Sequence, residues 1–203
     1  PSALFISAGM HPLKPYLFGL KKPLSKRLCS IQKCFRTTDI DEVGLKDTKL
    51  TFFFMLGNWS INDYWKKEAI EMAYDLLVSE FKISVERLQF SIFKGSKDIP
   101  KDTEAKKIWI SLGVKEDKIV ELQEDNFWQA GEFGLCGPCT EIYFDITQKA
   151  CSKGKNCKAG CDCGRFTEIW NLVFMQYNKT QSGKFETLAI KSIDTGAGFE
   201  RLA

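Results

Sequence analysis

The chain predicts an α+β fold with a largely antiparallel sheet flanked by helices, and three observations carry that expectation. Strand-like segments, alternating or continuously apolar, recur along the whole chain. Helical spacing of three and four residues shows clearly in only two places, and the two kinds of segment are mixed without strict alternation. With 203 residues, 44% hydrophobic and 27% charged, the material suits one globular domain with a sizeable core.

In order, Ala3 to Ile6 reads as a short buried strand, and residues 8–19 as an irregular turn or helix punctuated by Pro12 and Pro15. His11, the sole histidine, stands beside a proline and reads as structural or surface. Lys26 to Arg36 alternates, with Leu28, Ser30 and Gln32 on one face and Cys29, Ile31, Lys33 and Phe35 on the other. A polar loop leads to the apolar run Thr51 to Leu56, so the pair forms an antiparallel hairpin with a long connection. Gly57 to Ser60 reads as a turn. Ser60-Ile-Asn-Asp63 resembles a capping box opening a helix that runs to about Lys82. Its stripe of Trp65, Ala69, Met72, Ala73, Leu76, Leu77 and Phe81 is core packing. Arg87 to Phe93 is a strand, residues 102–112 a second helix, and Ile119 to Leu122 a short strand. From Thr140 to Ile146 alternation returns. Glu168 to Tyr177 is a long apolar strand, and a polar hairpin around Gln181 to Gly183 leads to Leu188 to Ile193.

A net charge of +3, with lysines spread rather than blocked, is too mild to argue for nucleic acid by itself. No stretch is long and apolar enough for a membrane span, and the first residues are too short for a secretory signal. The expectation is a cytoplasmic, reducing setting, in which the eight cysteines are thiols or metal ligands rather than disulfides.

Three stretches carry chemistry. In Asp194-Thr-Gly-Ala-Gly-Phe-Glu-Arg201 an acid, two glycines and an arginine follow an apolar run; Gly196 and Gly198 allow close backbone approach, and Arg201 falls where a helix begins. Arg201 stands where a dinucleotide fingerprint needs its third glycine, which excludes that motif. Cys136-Gly-Pro-Cys139 is the tetrapeptide of thioredoxin-like oxidoreductases, but strand periodicity follows it, where that chemistry needs a helix N-terminus. Between Cys151 and Cys163 four thiols, Cys151, Cys157, Cys161 and Cys163, fall in thirteen residues rich in Gly and Lys. Four thiolates can close a tetrahedral zinc site, although Cys161 and Cys163, one residue apart, depart from the common knuckle spacing.

Five blocks together carry a resemblance: Phe53-Phe-Met-Leu-Gly-Asn58, Asp125-Asn-Phe-Trp-Gln129, Cys136-Gly-Pro-Cys-Thr-Glu141, Glu168-Ile-Trp-Asn-Leu-Val-Phe-Met175 and Asp194 to Arg201. In this order they resemble the aminoacylation domain of the alanyl-tRNA synthetases, over essentially the whole chain. The resemblance implies a single catalytic domain over 1–203, a class II synthetase-like antiparallel sheet flanked by helices, and a Cys-rich insertion at about 149–165 of a kind some members carry. It implies activation of L-alanine by ATP, with Mg²⁺, and transfer to the acceptor end of tRNA(Ala). Arg36 then matches the arginine that contacts the α-phosphate and the alanine carboxylate, Phe53 the aromatic under adenine, with Met55 beside it, and Arg201 the third-motif arginine over ATP. Asp194 matches the acid that holds the alanine ammonium, while Trp128, Asn171, Val173 and Gly196 match the walls of the amino-acid pocket. Glu141 and Asp145 are the carboxylates offered for Mg²⁺.

The chain departs from the family pattern at Phe54, where glutamate is usual, at Leu135, where proline is usual, and in a short second-motif loop, which bears on tRNA contacts. Measured against the family it lacks the first class motif and the tRNA-recognition, editing and C-terminal domains, so it reads as a fragment. Two other readings stay open at this stage: a thiol-disulfide oxidoreductase using Cys136 and Cys139, and a non-catalytic, zinc-stabilised synthetase-like protein.

Overall fold

The computed structural model describes residues 4–38, 40–45 and 48–203. Among these residues eight strands form one sheet: β1 (Arg27–Phe35), β2 (Phe52–Ile61), β3 (Leu88–Phe93), β4 (Ile119–Leu122), β5 (Phe127–Gln129), β6 (Gly134–Asp145), β7 (Phe166–Lys179) and β8 (Phe185–Gly198). Their order is β1-β2-β8-β7-β6-β3-β4, with β5 paired to β6. Every pairing is antiparallel except β3 with β4, which is parallel. The helices are α1 (Lys14–Leu17), α2 (Lys66–Tyr74), prolonged by a π-turn over Asp75–Glu80, α3 (Thr103–Ser111) and α4 (Phe199–Leu202).

Period-two alternation sorts the side chains into two layers. On one face Trp170, Leu172 and Phe174 of β7 and Ile193 and Ala197 of β8 pack with Ala69, Ile70, Ala73 and Leu77 of the α2 segment and Ala105 and Trp109 of α3. On the other, Trp59, Ile61, Val173 and Met175 pack under Met10 and Leu17 of the N-terminal segment. Asp194 and Asn171 point to this second face, which α2 and α3 do not cover. The Cys-rich loop forms a small cluster of its own, with Cys157 and Ala159 buried against Val120, Tyr143 and Phe166.

Four sequence expectations need correction. Gly57 to Ser60 is no turn: β2 runs through it to Ile61, because Ser60 pairs with Arg27 on one side and Ile193 on the other. Gly57 marks close packing instead, since a Cβ there would meet the Trp59 ring at 2.6 Å and the Thr195 carbonyl oxygen at 2.8 Å. Nor does Ser60 cap a helix. Asn62 takes a left-handed φ of 52°, which interrupts the chain, α2 begins at Lys66, and Asp63 pairs with Arg27 at 2.7 Å. In the predicted stripe Met72 and Phe81 stay largely exposed while Ile70 is fully buried. Finally, Leu4 and Phe5 are exposed and outside any strand, and Ala3 lies outside the described residues.

Candidate active site

Where β2, β8, β7 and β5 meet on the open face lies a cleft of about 260 Å³. Its lining includes Arg36, Phe53, Met55, Trp128, Asn171, Val173, Asp194, Gly196 and Arg201, all nine residues the sequence put forward for ATP and alanine. They converge because adjacent strands align them. Val173 faces Asp194 across the β7–β8 ladder, Asn171 faces Gly196, and Met55 faces Gly198 across β2–β8.

The acid end is deeply set. Asp194 is 8% exposed, and its Oδ1 accepts the Trp59 indole N–H at 2.6 Å, the one hydrogen bond it receives from the described residues. Burial pushes its carboxyl up to about 7, against the pull of the Trp59 bond, and no ion pair to Asp194 forms among the described residues. Asn171, on the neighbouring strand, has its Oδ1 buried without a hydrogen-bond partner among the described residues.

The cationic end carries two guanidiniums. Arg36, one residue past β1, donates from Nε to the Ser7 carbonyl at 2.8 Å and stands over the Phe53 ring, 5.2 Å from its centroid. Arg201, in α4, donates to the Glu168 carbonyl at 2.9 Å, pairs with the Glu168 carboxylate at 3.4 Å and donates to the Thr48 carbonyl at 3.3 Å. The chain enters α4 straight from β8 without a turn, and Glu200 accepts the Phe54 N–H at 2.9 Å, tying α4 to β2.

Glu168 and Glu200 line the cleft but were not singled out in the sequence. Regular alternation from Asn171 would turn Glu168 away. One extra residue in β7, between the pairings Ile142–Trp170 and Tyr143–Glu168, reverses the alternation and brings Glu168 to the cleft side. The two carboxylates offered for Mg²⁺ fare otherwise. Asp145 lies outside the cleft and is gripped by Arg165 at 2.5 and 3.0 Å. Glu141 is buried beneath it, accepting from Asn171 and the Tyr143 hydroxyl. Neither offers a free oxygen to a metal.

Cys136 and Cys139 lie inside β6, both buried, the thiol of Cys136 pushed up to about 11 by burial and that of Cys139 also raised well above normal. Gly137 between them is forced by packing, since a Cβ would sit 1.9 Å from the Phe174 carbonyl oxygen. Buried, protonated thiols in mid-strand lack what disulfide exchange needs, and the oxidoreductase reading falls on that ground.

The four thiols of the loop do converge. The Sγ atoms of Cys151, Cys157, Cys161 and Cys163 all lie within 4.8 Å of one another, with Cys151–Cys161 at 3.9 Å and Cys157–Cys163 at 3.7 Å. A tetrahedral zinc with Zn–S of about 2.3 Å sets its sulfurs about 3.8 Å apart, so the donor set fits that ion.

An antiparallel sheet with helices on one face and a charged cleft on the other is the architecture of class II tRNA synthetases. The chain resembles the apo histidyl-tRNA synthetase of S. aureus with a TM-score of 0.52 at 12% identity, over 97% of this chain and 50% of that one. A structure titled as the RNA binding domain of threonyl-tRNA synthetase from Cryptosporidium parvum Iowa II gives 0.56 at 12%, over 97% and 48%. At this identity the likeness shows the fold.

Residues 1–203 match the family "tRNA synthetases class II (A)", and the chain belongs to it. Among its relatives are the alanine–tRNA ligases of Treponema denticola, 51% identical over 99% of this chain and 34% of the relative, and of Borreliella afzelii, 48% identical over 99% and 34%. That of Natranaerobius thermophilus is 48% identical over 100% and 23%. The chain thus spans about a quarter to a third of their length.

Proposed function

We propose that the chain is the catalytic domain of an alanine–tRNA ligase, which joins alanine to ATP as alanyl-adenylate and passes the alanyl group to the acceptor end of tRNA(Ala). The observation that carries the reading is the buried carboxylate of Asp194, with one hydrogen bond, in the same cleft as Arg36 and Arg201. Such a site suits a ligand with an ammonium at one end and phosphates at the other.

In this reading Asp194 takes the alanine ammonium. Trp128, Val173 and Gly196 border the space for the methyl group, and Phe53 receives adenine. A carboxylate oxygen of alanine attacks the α-phosphorus, the bond to the bridging oxygen breaks, and pyrophosphate leaves. Arg36 and Arg201 stabilise the charge that gathers on the α-phosphate and the leaving group, held by contacts made before the reaction begins. A ribose hydroxyl of tRNA then attacks the activated carbonyl and AMP departs. Mg²⁺ would shield the phosphates of ATP, with Glu168 and Glu200 the cleft carboxylates in reach of that region. The four loop thiols would hold a structural Zn²⁺, and a cytoplasmic setting would keep them reduced.

Exchange of labelled pyrophosphate into ATP, run with each of the twenty amino acids, tests the reading. Exchange with alanine and not with large amino acids is expected; folded protein giving none would overturn it. Glycine and serine are the hard discriminations, because a methyl-sized difference is worth only ~1–3 kcal/mol.

A further inference from the structure

Beneath the amino-acid end of the cleft lies a buried carboxyl that the proposed chemistry leaves unused. Glu141 is 5% exposed; its Oε2 accepts from the Tyr143 hydroxyl, its Oε1 accepts from Asn171 Nδ2 at 3.0 Å, and its own N–H donates to Ser91 Oγ at 3.2 Å. Asn171 lines the cleft, yet its Oδ1 is buried without a partner among the described residues. An unpaired buried carbonyl is costly, and here it recurs in a side chain whose other end is firmly held.

The register explains which way each end of the amide faces. Glu141 is the direct neighbour of Asn171 across β6–β7, and Gly196 is its neighbour across β7–β8. Nδ2 donates to Glu141, and on the Gly196 side the neighbour is the flexible Met55 thioether, its sulfur 3.3 Å from where a Gly196 Cβ would stand. A half-turn of the amide would keep its shape and exchange the two ends, presenting donors where Oδ1 now stands. Donors repel an ammonium; a carbonyl accepts from it. The partner on the β6 side therefore decides whether the pocket can receive a cation.

We propose that Glu141 is a positioning residue for amino-acid recognition: by accepting the Asn171 Nδ2 bond it keeps Oδ1 free as a second acceptor for the substrate ammonium, beside Asp194. The inference rests on the alanine-activating reading above. Burial, and then the charge of Glu168, raise the Glu141 carboxyl to about 8. The Tyr143 hydroxyl donates to Oε2, and Oε1 remains the acceptor for the Asn171 Nδ2.

Three variants test it: Glu141→Gln, which preserves an acceptor toward Asn171, Glu141→Met, which does not, and Asn171→Ala. In alanine-dependent pyrophosphate exchange, Glu141→Met raises the alanine KM about 10- to 100-fold, the loss expected for a hydrogen bond to a charged group, and leaves the ATP KM alone. Glu141→Gln stays within a few-fold of wild type, and in the Asn171→Ala background Glu141→Met adds nothing further. An unchanged alanine KM in Glu141→Met, or losses that multiply in the double variant, overturns the proposal.

A second measurement is independent of turnover and of any variant's folding. In ¹⁵N-labelled wild-type chain the Asn171 side-chain amide protons should exchange with solvent at least tenfold more slowly than those of exposed Asn156. Equal rates overturn the positioning role even in an active protein. Protected Asn171 protons in a chain that gives no alanine-dependent exchange support the Glu141 contact and sink the activity reading alone.

Discussion

Replacing Asp194 by Asn removes a charge and almost no volume, and the structure says what that charge costs without a ligand. The carboxyl is 8% exposed, accepts one hydrogen bond, and sits at about 7 instead of 3.8. At about 1.4 kcal/mol per pH unit, a displacement of roughly three units is a penalty of order 4 kcal/mol for holding the ionised form in the empty pocket. The sign follows from proton binding. Between pH 3.8 and about 7 the folded chain holds this proton and the unfolded chain does not, so native stability falls as pH rises through that window and is flat above it. Asn keeps an oxygen for the Trp59 N–H and has nothing to ionise. Ligand-free Asp194→Asn is therefore expected to match wild type near pH 4 and to exceed it by up to about 4 kcal/mol at pH 8, in urea unfolding followed by tryptophan fluorescence. Alanine activation moves the opposite way. The substrate ammonium loses its counter-charge, which in a buried site costs about 3–5 kcal/mol, a rise in alanine KM of at least a hundredfold, while equilibrium ATP binding is kept. An Asp194→Asn protein no more stable than wild type at pH 8, with an unaltered alanine KM, would refute the reasoning; lost ATP binding would show that the residue serves the nucleotide instead.

The same linkage predicts that wild-type alanine affinity weakens by up to tenfold per unit as pH falls below about 7, measured as alanine KM in pyrophosphate exchange from pH 5.5 to 8.5, and that Asp194→Asn flattens the profile. Cys161→Ser should lower bound zinc below one per chain by elemental analysis and abolish the destabilisation that a chelator causes in wild type, whereas Cys136→Ser should leave the zinc content at one. Gly137→Ala should cost more than about 3 kcal/mol in urea unfolding, because its Cβ would sit 1.9 Å from backbone in the middle of the sheet.

Much of the sheet was legible, for a physical reason. β3, β4 and β7 lie where the apolar runs fall, and α3 begins beside Asp102, whose side chain caps the Ala105 N–H at 3.1 Å. What failed was the reading of glycine. At Gly57, read as a turn, the residue signals the approach of the Trp59 indole and the Thr195 carbonyl oxygen, and the latter comes from a strand that local sequence does not show to be near. The clefted arrangement of Arg36, Phe53, Asn171, Asp194 and Arg201 was legible only through the resemblance, since they come from four separated segments. Glu168 was missed for a local reason: a single extra residue in β7 reverses the alternation by which faces are assigned.

Arg201 shows how such pairing shapes the site. The sequence places it where a helix begins. In the fold its guanidinium bonds the Glu168 carbonyl, pairs with the Glu168 carboxylate and reaches the Thr48 carbonyl, while its neighbour Glu200 clasps the β2 backbone. These bonds orient the guanidinium before any nucleotide arrives, which is the condition for strong stabilisation of developing charge. They also set a competition. The Glu168 side chain is 35% exposed, so the ion pair is partly screened and worth about 1 kcal/mol or less, whereas a phosphate oxygen offers Arg201 a stronger, charge-assisted bond. A weak partner suffices to hold the arginine ready and yields easily to the ligand, and a carboxylate set free in that exchange is left beside the phosphates, where a divalent cation would be bound.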